Sequence, residues 1–182
     1  MKTTPESITM IKYKQTIVGL IIALVAGAAF AQHTEEQDLE AARKEYQASS
    51  HDEPARSRYV TKLAQIRERQ LKEYWKGEQS PEYEKVVGDV NSELQKHPAP
   101  ATADSKKLSR LLVGSWQSPR RVYIFRANGK SGSKDSSVSN SWRIKGNQLI
   151  EDGSRGTIIL IDHDYFIYSE KEALLFHLRV KE

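Results

Sequence analysis

The hydrophobic and polar positions follow one repeat before about residue 100 and a different one after it. Residues 34–97 are rich in Glu, Lys, Arg, Gln and Ala, and their apolar residues recur at helical spacing. Residues 108–182 carry short β-branched and aromatic runs separated by turn-forming pairs. The chain is therefore predicted to be α+β, with an N-terminal helical hairpin or arm followed by a small antiparallel meander sheet.

Capping signals and apolar stripes predict three helices. Thr34 would cap a first helix that ends near Ala48. Asp52 is a typical N-cap for a second helix, which carries Pro54 in its first turn and would run to about Lys76. A third helix would start at Ser80-Pro81. It carries the clearest helical stripe of the chain: Tyr83, Val86, Val87, Val90 and Leu94.

A segment rich in proline and alanine separates the two patterns. Its prolines stiffen the backbone, and nothing in it is apolar enough to pack a core. The predicted organisation is a helical segment over residues 32–97, a linker over 98–106 and a β-domain over 107–182.

The β-domain is predicted to contain six or seven short strands joined by tight turns. Lys130–Ser141 is rich in Ser, Gly and Lys, which predicts a long disordered loop. The last strand, Ala173–Val180, alternates between two faces. Leu174, Phe176, Leu178 and Val180 share one face, and Leu175, His177 and Arg179 share the other. Such a meander must bury a face by curling into a barrel or by packing against the helices.

The first 31 residues have the three-part pattern of a secretory signal. Basic residues come first, Ile17–Phe30 is an almost unbroken apolar run, and Ala29-Phe30-Ala31 supplies small residues at a cleavage site. A retained membrane anchor is the alternative, but the run is shorter than the roughly 20 residues that a span needs. We therefore expect an exported protein, cleaved after Ala31, that meets the membrane only through this signal.

Composition and charge narrow the choice of function. The chain has no cysteine, which excludes disulfides, zinc–thiolate sites and a cysteine nucleophile. An exported protein without disulfides indicates a bacterial periplasm or medium. Residues 32–106 carry a net charge of −3 and residues 107–182 a net charge of +5. That excess is too small to predict nucleic-acid binding.

The basic residues of the β-domain allow two interpretations. They form a patch for an acidic polymer such as an envelope glycan, or they lie on a solvated face, which is the commoner outcome. The residues concerned are Arg120, Arg121, Lys130, Lys134, Arg143 and Lys145.

A series of motifs in the β-domain resembles the small secreted lipocalin-like domains of bacteria. The series is Gly114-Ser115-Trp116, Tyr123-Ile124-Phe125, Asn128-Gly129 and Trp142-Arg-Ile-Lys-Gly-Asn-Gln-Leu149. The resemblance covers about residues 108–182 and implies a lipocalin-like barrel, abbreviated because so few residues cannot supply eight long strands. Lipocalins place an arginine from the end of the barrel over the Gly-x-Trp indole. The resemblance therefore implies that Arg179 lies over Trp116, where a closed barrel would also pair the first and last strands.

The resemblance also supplies candidate ligand-binding residues inside the barrel. They are Trp116, Tyr123, Phe125, Trp142, Phe166, Tyr168 and Arg179. We expect them to line a site for a small apolar ligand, or to form the core of a barrel that presents a partner surface.

Asp162-His163-Asp164 is the most reactive-looking triplet. With His177 or Glu170 it would bind a divalent metal if the turn folded these side chains together. The simpler interpretation is a polar β-turn, in which Asp and His are common.

Three functions are compatible with the sequence. The leading one is a non-enzymatic binding or interaction protein of the bacterial envelope, without a cofactor, that holds a small apolar ligand or meets an envelope protein or glycan. The second is a metal-assisted hydrolase that uses Asp162, His163, Asp164 and His177. The third is a structural or assembly protein that forms homo-oligomers through its helical arm.

Overall fold

The computed structural model of the protein describes residues 29–49, 52–75 and 81–181. The predicted signal lies outside this part except for its last residues, which belong to the first helix. The helices are α1 (Ala29–Ala48), α2 (Glu53–Trp75), α3 (Pro81–Gln95) and α4 (Ser105–Leu112). The strands are β1 (Gly114–Gln117), β2 (Val122–Phe125), β3 (Lys130–Ser133), β4 (Asn140–Lys145), β5 (Gln148–Glu151), β6 (Ser154–Ile161), β7 (Tyr165–Glu170) and β8 (Ala173–Arg179).

The eight strands form a closed antiparallel barrel in chain order. The barrel closes where β1 pairs with β8, through Trp116 opposite Arg179 and Gln117 opposite Leu178. No strand of the barrel exceeds eight residues. The predicted α+β architecture with an abbreviated lipocalin-like barrel is confirmed. The predicted number of six or seven strands is too low, because the sequence pattern missed one strand.

That strand is β3, which lies in the segment predicted to be a disordered loop. Lys130–Ser133 pairs with both β2 and β4. Serine and glycine have little intrinsic preference for strands. Neighbouring strands on both sides satisfy the backbone groups of β3, and the side chain of Ser131 is fully buried. Tertiary pairing therefore overrides the composition of this segment.

The predicted start of α2 is confirmed by an observed cap, whereas the predicted start of α1 differs from the structure. Asp52 caps α2, because its Oδ1 accepts a hydrogen bond of 2.8 Å from the backbone N–H of Ala55. The first helix already begins at Ala29 rather than at Thr34, so the predicted cleavage site lies in its first turn. Ser80, the predicted cap of α3, lies outside the described residues, and the helix begins at Pro81.

The segment predicted to be a linker lies against the barrel. The backbone N–H of Ala99 donates to the carbonyl of Ile158 at 2.9 Å, and its carbonyl accepts from Asn147 Nδ2 at 2.6 Å. From Ser105 onward the chain forms α4, which the sequence analysis missed. Asp104 caps this helix by accepting from the N–H groups of Lys106 and Lys107. The prolines hold an extended backbone whose polar groups pair with the barrel instead of with water.

The barrel wall buries both of its faces along β6, β7 and β8. One face packs inside the barrel, and the other packs against the helical layer, in which α2 contacts β6 and both α1 and α3 pack on α2. In β7, Tyr165 and Ile167 face the helices, while Phe166 and Tyr168 face the interior. This double burial explains why the end of β6 is apolar without alternation. None of the helices in the described ranges is long and apolar enough to cross a membrane.

A β-bulge in β6 anchors the helices to the barrel. The register with β7 shifts between Ile158 and Leu160, which leaves the Ile159 carbonyl free to accept from Arg56 Nη1 at 3.0 Å. Arg56 is buried, and it also donates to the His97 carbonyl and to the carboxylate of Glu53. Because all of these bonds hold a buried cation, the start of α2 is fixed against the bulge.

Candidate functional site

The two ends of the barrel differ in how they are covered. The closed end carries α4 and the turns at residues 126–129, 146–147 and 162–164. The open end carries the turns at residues 118–121, 134–139, 152–153 and 171–172. Each end can therefore be considered as a separate candidate site.

Trp116 and Arg179 seal the closed end. The guanidinium carbon of Arg179 lies 3.8 Å from the centre of the Trp116 ring, as the resemblance implied. The guanidinium also donates to the carbonyls of Leu111 and Val113, while Trp116 Nε1 donates to the Leu112 carbonyl at 2.7 Å. Both side chains therefore satisfy the last carbonyls of α4, which a helix leaves without partners.

The Gly-x-Trp motif has a steric basis. Gly114 has a φ of +140°, and a Cβ on this residue would lie 2.2 Å from Nη1 of Arg179. Only glycine leaves room for the guanidinium to pass over the indole.

The half of the interior next to the closed end is filled by the protein's own side chains. Trp116 and Phe166 are fully buried, and Phe125 is only 3% exposed. Phe125 packs edge-on against Trp142 and Phe166, with ring centres 5.7 Å apart in both pairs. A ligand cannot reach these rings without displacing them. Most of the residues predicted to line a ligand site therefore form the core of this half.

Three aromatic side chains face the interior toward the open end. The ring of Tyr168 stacks on His177 with centres 5.8 Å apart, and Tyr123 meets the same imidazole edge-on at 5.5 Å. Both tyrosines are partly exposed, unlike the rings below them. The Tyr168 ring lies flat on Gly156, where a Cβ would come within 2.4 Å of it.

His177 is a neutral, buried acceptor in this layer. It is 3% exposed, and its Nδ1 lies 3.3 Å from the carbonyl of Phe166. Burial lowers the pKa of His177 to about 4, so the imidazole is neutral at pH 7. A carbonyl can only accept, so Nδ1 carries the hydrogen and Nε2 keeps a free lone pair. Within the described residues Nε2 makes no hydrogen bond.

Glu151 places a carboxylate on the same interior surface. It pairs with Trp142 across β4 and β5, and therefore shares the inward face of that residue. Its Oε1 accepts from the hydroxyl of Ser131 and from Asn140 Nδ2. In the part of the chain that the structure describes, no basic side chain forms an ion pair with Glu151. The carboxylate is thus held by neutral donors only and is partly exposed.

Glu151 lies close enough to Tyr168 for its charge to affect the pKa of the phenol. Burial raises the pKa of the Tyr168 phenol, and the charges of Glu151 and Glu170 raise it further. The hydroxyl groups of Tyr123 and Tyr168 make no hydrogen bonds with other described residues. The open end therefore combines aromatic side chains with a carboxylate, an imidazole lone pair and two phenol hydroxyls. We call Tyr123, Ser131, Glu151, Tyr168 and His177 the open-end cluster.

The sequence analysis named the two tyrosines as ligand-binding candidates and His177 only as an alternative metal ligand, and it missed Ser131 and Glu151. Glu151 was overlooked although Leu149, two residues before it, was recognised as part of the Trp142–Leu149 motif. Residues two apart in a strand share a face, so Glu151 had to point inward with Leu149. Ser131 gave no comparable signal, because β3 was not recognised as a strand.

The alternative metal site does not assemble. Asp162 Oδ1 accepts from the backbone N–H groups of Asp164 and Tyr165, which makes a polar turn at the closed end. His163 is exposed in that turn, while His177 lies inside the barrel. Within the described ranges, no group of three His, Asp or Glu side chains is arranged to hold a metal ion.

The basic residues of the β-domain do not share one end. Arg120, Arg121 and Lys134 belong to the loops of the open end, whereas Lys145 borders the turn at the closed end. Lys130 donates to the Ser139 carbonyl and to Ser141 Oγ along the wall. The positions of these basic residues therefore do not favour one continuous patch for an acidic polymer.

A groove between α1 and α2 offers a second concave surface. Ion pairs cross it, since Arg58 binds Glu45 and Lys62 Nζ lies 3.1 Å from Asp38 Oδ2. These charges satisfy each other and point to no ligand.

Comparison of the chain with protein-family models, with curated proteins and with solved structures finds no match. The lipocalin-like character therefore concerns the architecture, and the functional argument has to come from the site.

Proposed function

We propose that the chain is an exported, non-enzymatic binding protein of the bacterial envelope that takes a small ligand at the open end of its barrel. The observation that supports this most is the contrast within the interior. One half is filled with aromatic side chains and sealed by α4, and the other presents polar groups for which the described residues supply no hydrogen-bond partner. Binding sites in small barrels commonly lie at the mouth.

An assembly role for the helices has less support. The buried apolar side chains that the structure describes in α1, α2 and α3 pack with one another and with β6, β7 and β8 of the same chain. Apolar surface used in this way is not available to a second copy.

Native mass spectrometry of the chain purified from an exporting bacterium tests the proposal. We expect a mass that begins at Gln32 and an additional bound mass that disappears on denaturation. Retention of residues 1–31 would contradict export. A mass without any bound molecule, together with no binding in a screen of small organic ligands, would contradict the binding function.

A pair of variants on β7 locates the bound molecule. Tyr168→Leu removes a ring of the open-end cluster, whereas Tyr165→Leu removes a ring on the helix-facing side of the same strand. We expect the first variant to lose the bound mass and the second to keep it. Circular dichroism establishes that both variants are folded, and loss of the bound mass in both would argue against the open end.

A further inference from the structure

The open end presents two hydrogen-bond acceptors beside the hydroxyls of Tyr123 and Tyr168. Glu151 contributes a carboxylate, and His177 contributes the lone pair of Nε2. The two donors that reach Glu151, Ser131 Oγ and Asn140 Nδ2, both go to Oε1. Oε2 of Glu151 has no hydrogen-bond partner among the described residues. A ligand that satisfies these two acceptors must bring N–H or O–H donors.

The charge of the donor selects further among ligands. Tyr123 and Tyr168 are partly exposed and lie beside the imidazole of His177. Tyr168 already packs on Phe166 and over Gly156, and Arg121 lies over Tyr123, so the two rings offer an apolar border to a ligand. An ammonium group gives the acceptors charge-assisted hydrogen bonds, whereas a hydroxyl group donates to them without a charge of its own.

From this arrangement we propose that the open-end cluster binds an organic cation, a protonated amine with an attached apolar group. The ammonium donates to Glu151, and the apolar group lies against Tyr123 and Tyr168. The proposal rests on the proposed binding function and specifies its ligand class, which the sequence analysis had expected to be apolar.

A nearby positive charge opposes the binding of a cation. The guanidinium of Arg121 lies 5.5 Å from the centre of the Tyr123 ring. Arg121 is exposed, so water and salt screen its charge. Glu151 is only partly exposed, and Ser131 and Asn140 fix its carboxylate at the cluster. We therefore expect its attraction for a cation to exceed the screened repulsion of Arg121, which reduces the affinity without abolishing it.

Three probes of similar shape and different charge test the proposal. They are phenethylamine, its neutral analogue phenethyl alcohol, and the anion 3-phenylpropionate. We expect isothermal titration calorimetry and amide chemical-shift changes to show binding of phenethylamine at least about tenfold tighter than of the alcohol, because a charge-assisted hydrogen bond is replaced by a neutral one. The anion should bind more weakly than either.

Variants at the open end separate the role of Glu151 from general electrostatics. Glu151→Gln keeps the shape and the oxygen that accepts from Ser131, and we expect it to weaken phenethylamine at least tenfold while leaving the alcohol unchanged. Asp135→Asn removes an exposed carboxylate from a loop at the same end and should leave phenethylamine binding within a factor of two. Arg121→Ala should strengthen phenethylamine binding and leave the alcohol unchanged.

The possible outcomes distinguish this proposal from the proposed function. Equal binding of the amine and the alcohol, unaffected by Glu151→Gln, would overturn the cation inference and keep the binding site. Preference for 3-phenylpropionate would overturn it as well. If none of the three probes binds, the cation inference fails, and native mass spectrometry then decides the binding function alone.

Discussion

The two ends of the barrel use the same residue types for opposite purposes. At the closed end, aromatic rings and a charged side chain pair with each other and with α4, and no buried polar side-chain atom of Trp116 or Arg179 lacks a partner. At the open end, tyrosines surround a carboxylate and an imidazole whose polar atoms are only partly satisfied by described residues. A fully paired network stabilises a structure, and a partly paired one is available to a ligand. The comparison therefore relates the closed end to stability and the open end to the binding function that we propose.

The largest expected effect comes from deleting the indole at the closed end. Trp116→Ala removes a fully buried ring and the base on which Arg179 lies. We expect it to lower the free energy of unfolding by about 3–5 kcal/mol. Tyr123→Ala, in the partly exposed layer, should cost less than half as much. Urea denaturation of the two variants measures the difference, and equal losses would remove the distinction between the ends.

Acid should destabilise the barrel through His177. The pKa of His177 is about 4 in the folded chain and about 6.5 when it is exposed, so the unfolded chain binds a proton first as the pH falls. The contribution of the neutral imidazole to the free energy of unfolding is therefore fully present above pH 6.5. It is lost as the pH falls toward 4, by on the order of 3 kcal/mol. His177→Gln should lack this dependence when unfolding is measured between pH 7 and pH 4.5. A wild-type stability that is constant over this interval would contradict the assignment of a buried neutral imidazole.

A different group should act at lower pH on the helical side of the barrel. Glu93 accepts from His97, Lys96 and Tyr59, and the hydrogen bond with His97 is the main cause that lowers its pKa to about 2. Its stabilisation is present above about pH 4.5 and is lost as the pH falls toward 2. The variant Glu93→Gln should therefore change the denaturation curves below pH 4.5 and leave the His177 transition in place. Unchanged denaturation curves below pH 4.5 would contradict this role of Glu93.

Removal of the guanidinium should have an intermediate effect. Arg179→Ala leaves the carbonyls of Leu111 and Val113 without their donor and uncovers Trp116. We expect a loss of about 2–3 kcal/mol in thermal or chemical unfolding. Arg179→Lys keeps the charge but cannot reach both carbonyls with one flat group, so it should recover only part of the loss. Full recovery by lysine would show that charge alone seals this end.

The smallest effects come from one substitution made at two glycines. Gly156→Ala forces the Tyr168 ring away from the strand, and we expect a loss of about 1–2 kcal/mol and altered shifts of the Tyr168 ring protons. Gly88 is exposed in α3 with nothing near its missing Cβ, so Gly88→Ala should stabilise the chain by about 0.5–1 kcal/mol. If both substitutions changed the free energy of unfolding in the same direction, the packing of Tyr168 would not require glycine at position 156.

The elements that could be predicted are those whose signals are local. Asp52 caps α2 because capping depends on residues within one turn. The contact of Trp116 with Arg179 is not local and was predicted from the resemblance to lipocalin-like domains. The elements that were missed depend on distant partners. Strand β3 has no intrinsic strand preference, and the Ile159 carbonyl at the bulge binds Arg56, which is 103 residues away in the chain. Glu151 was accessible to the alternation argument and shows that polar residues at inward positions need the same attention as apolar ones.

The bulge that binds Arg56 also has a consequence for the order of folding. Arg56 and Ile159 are 103 residues apart, and the helices share their apolar core with the last three strands. Contacts between such distant parts of a chain form late, since a long loop must close before they contribute. The segment that is synthesised first must therefore wait for the segment that is synthesised last, and the chain remains incompletely folded until its final strand has emerged.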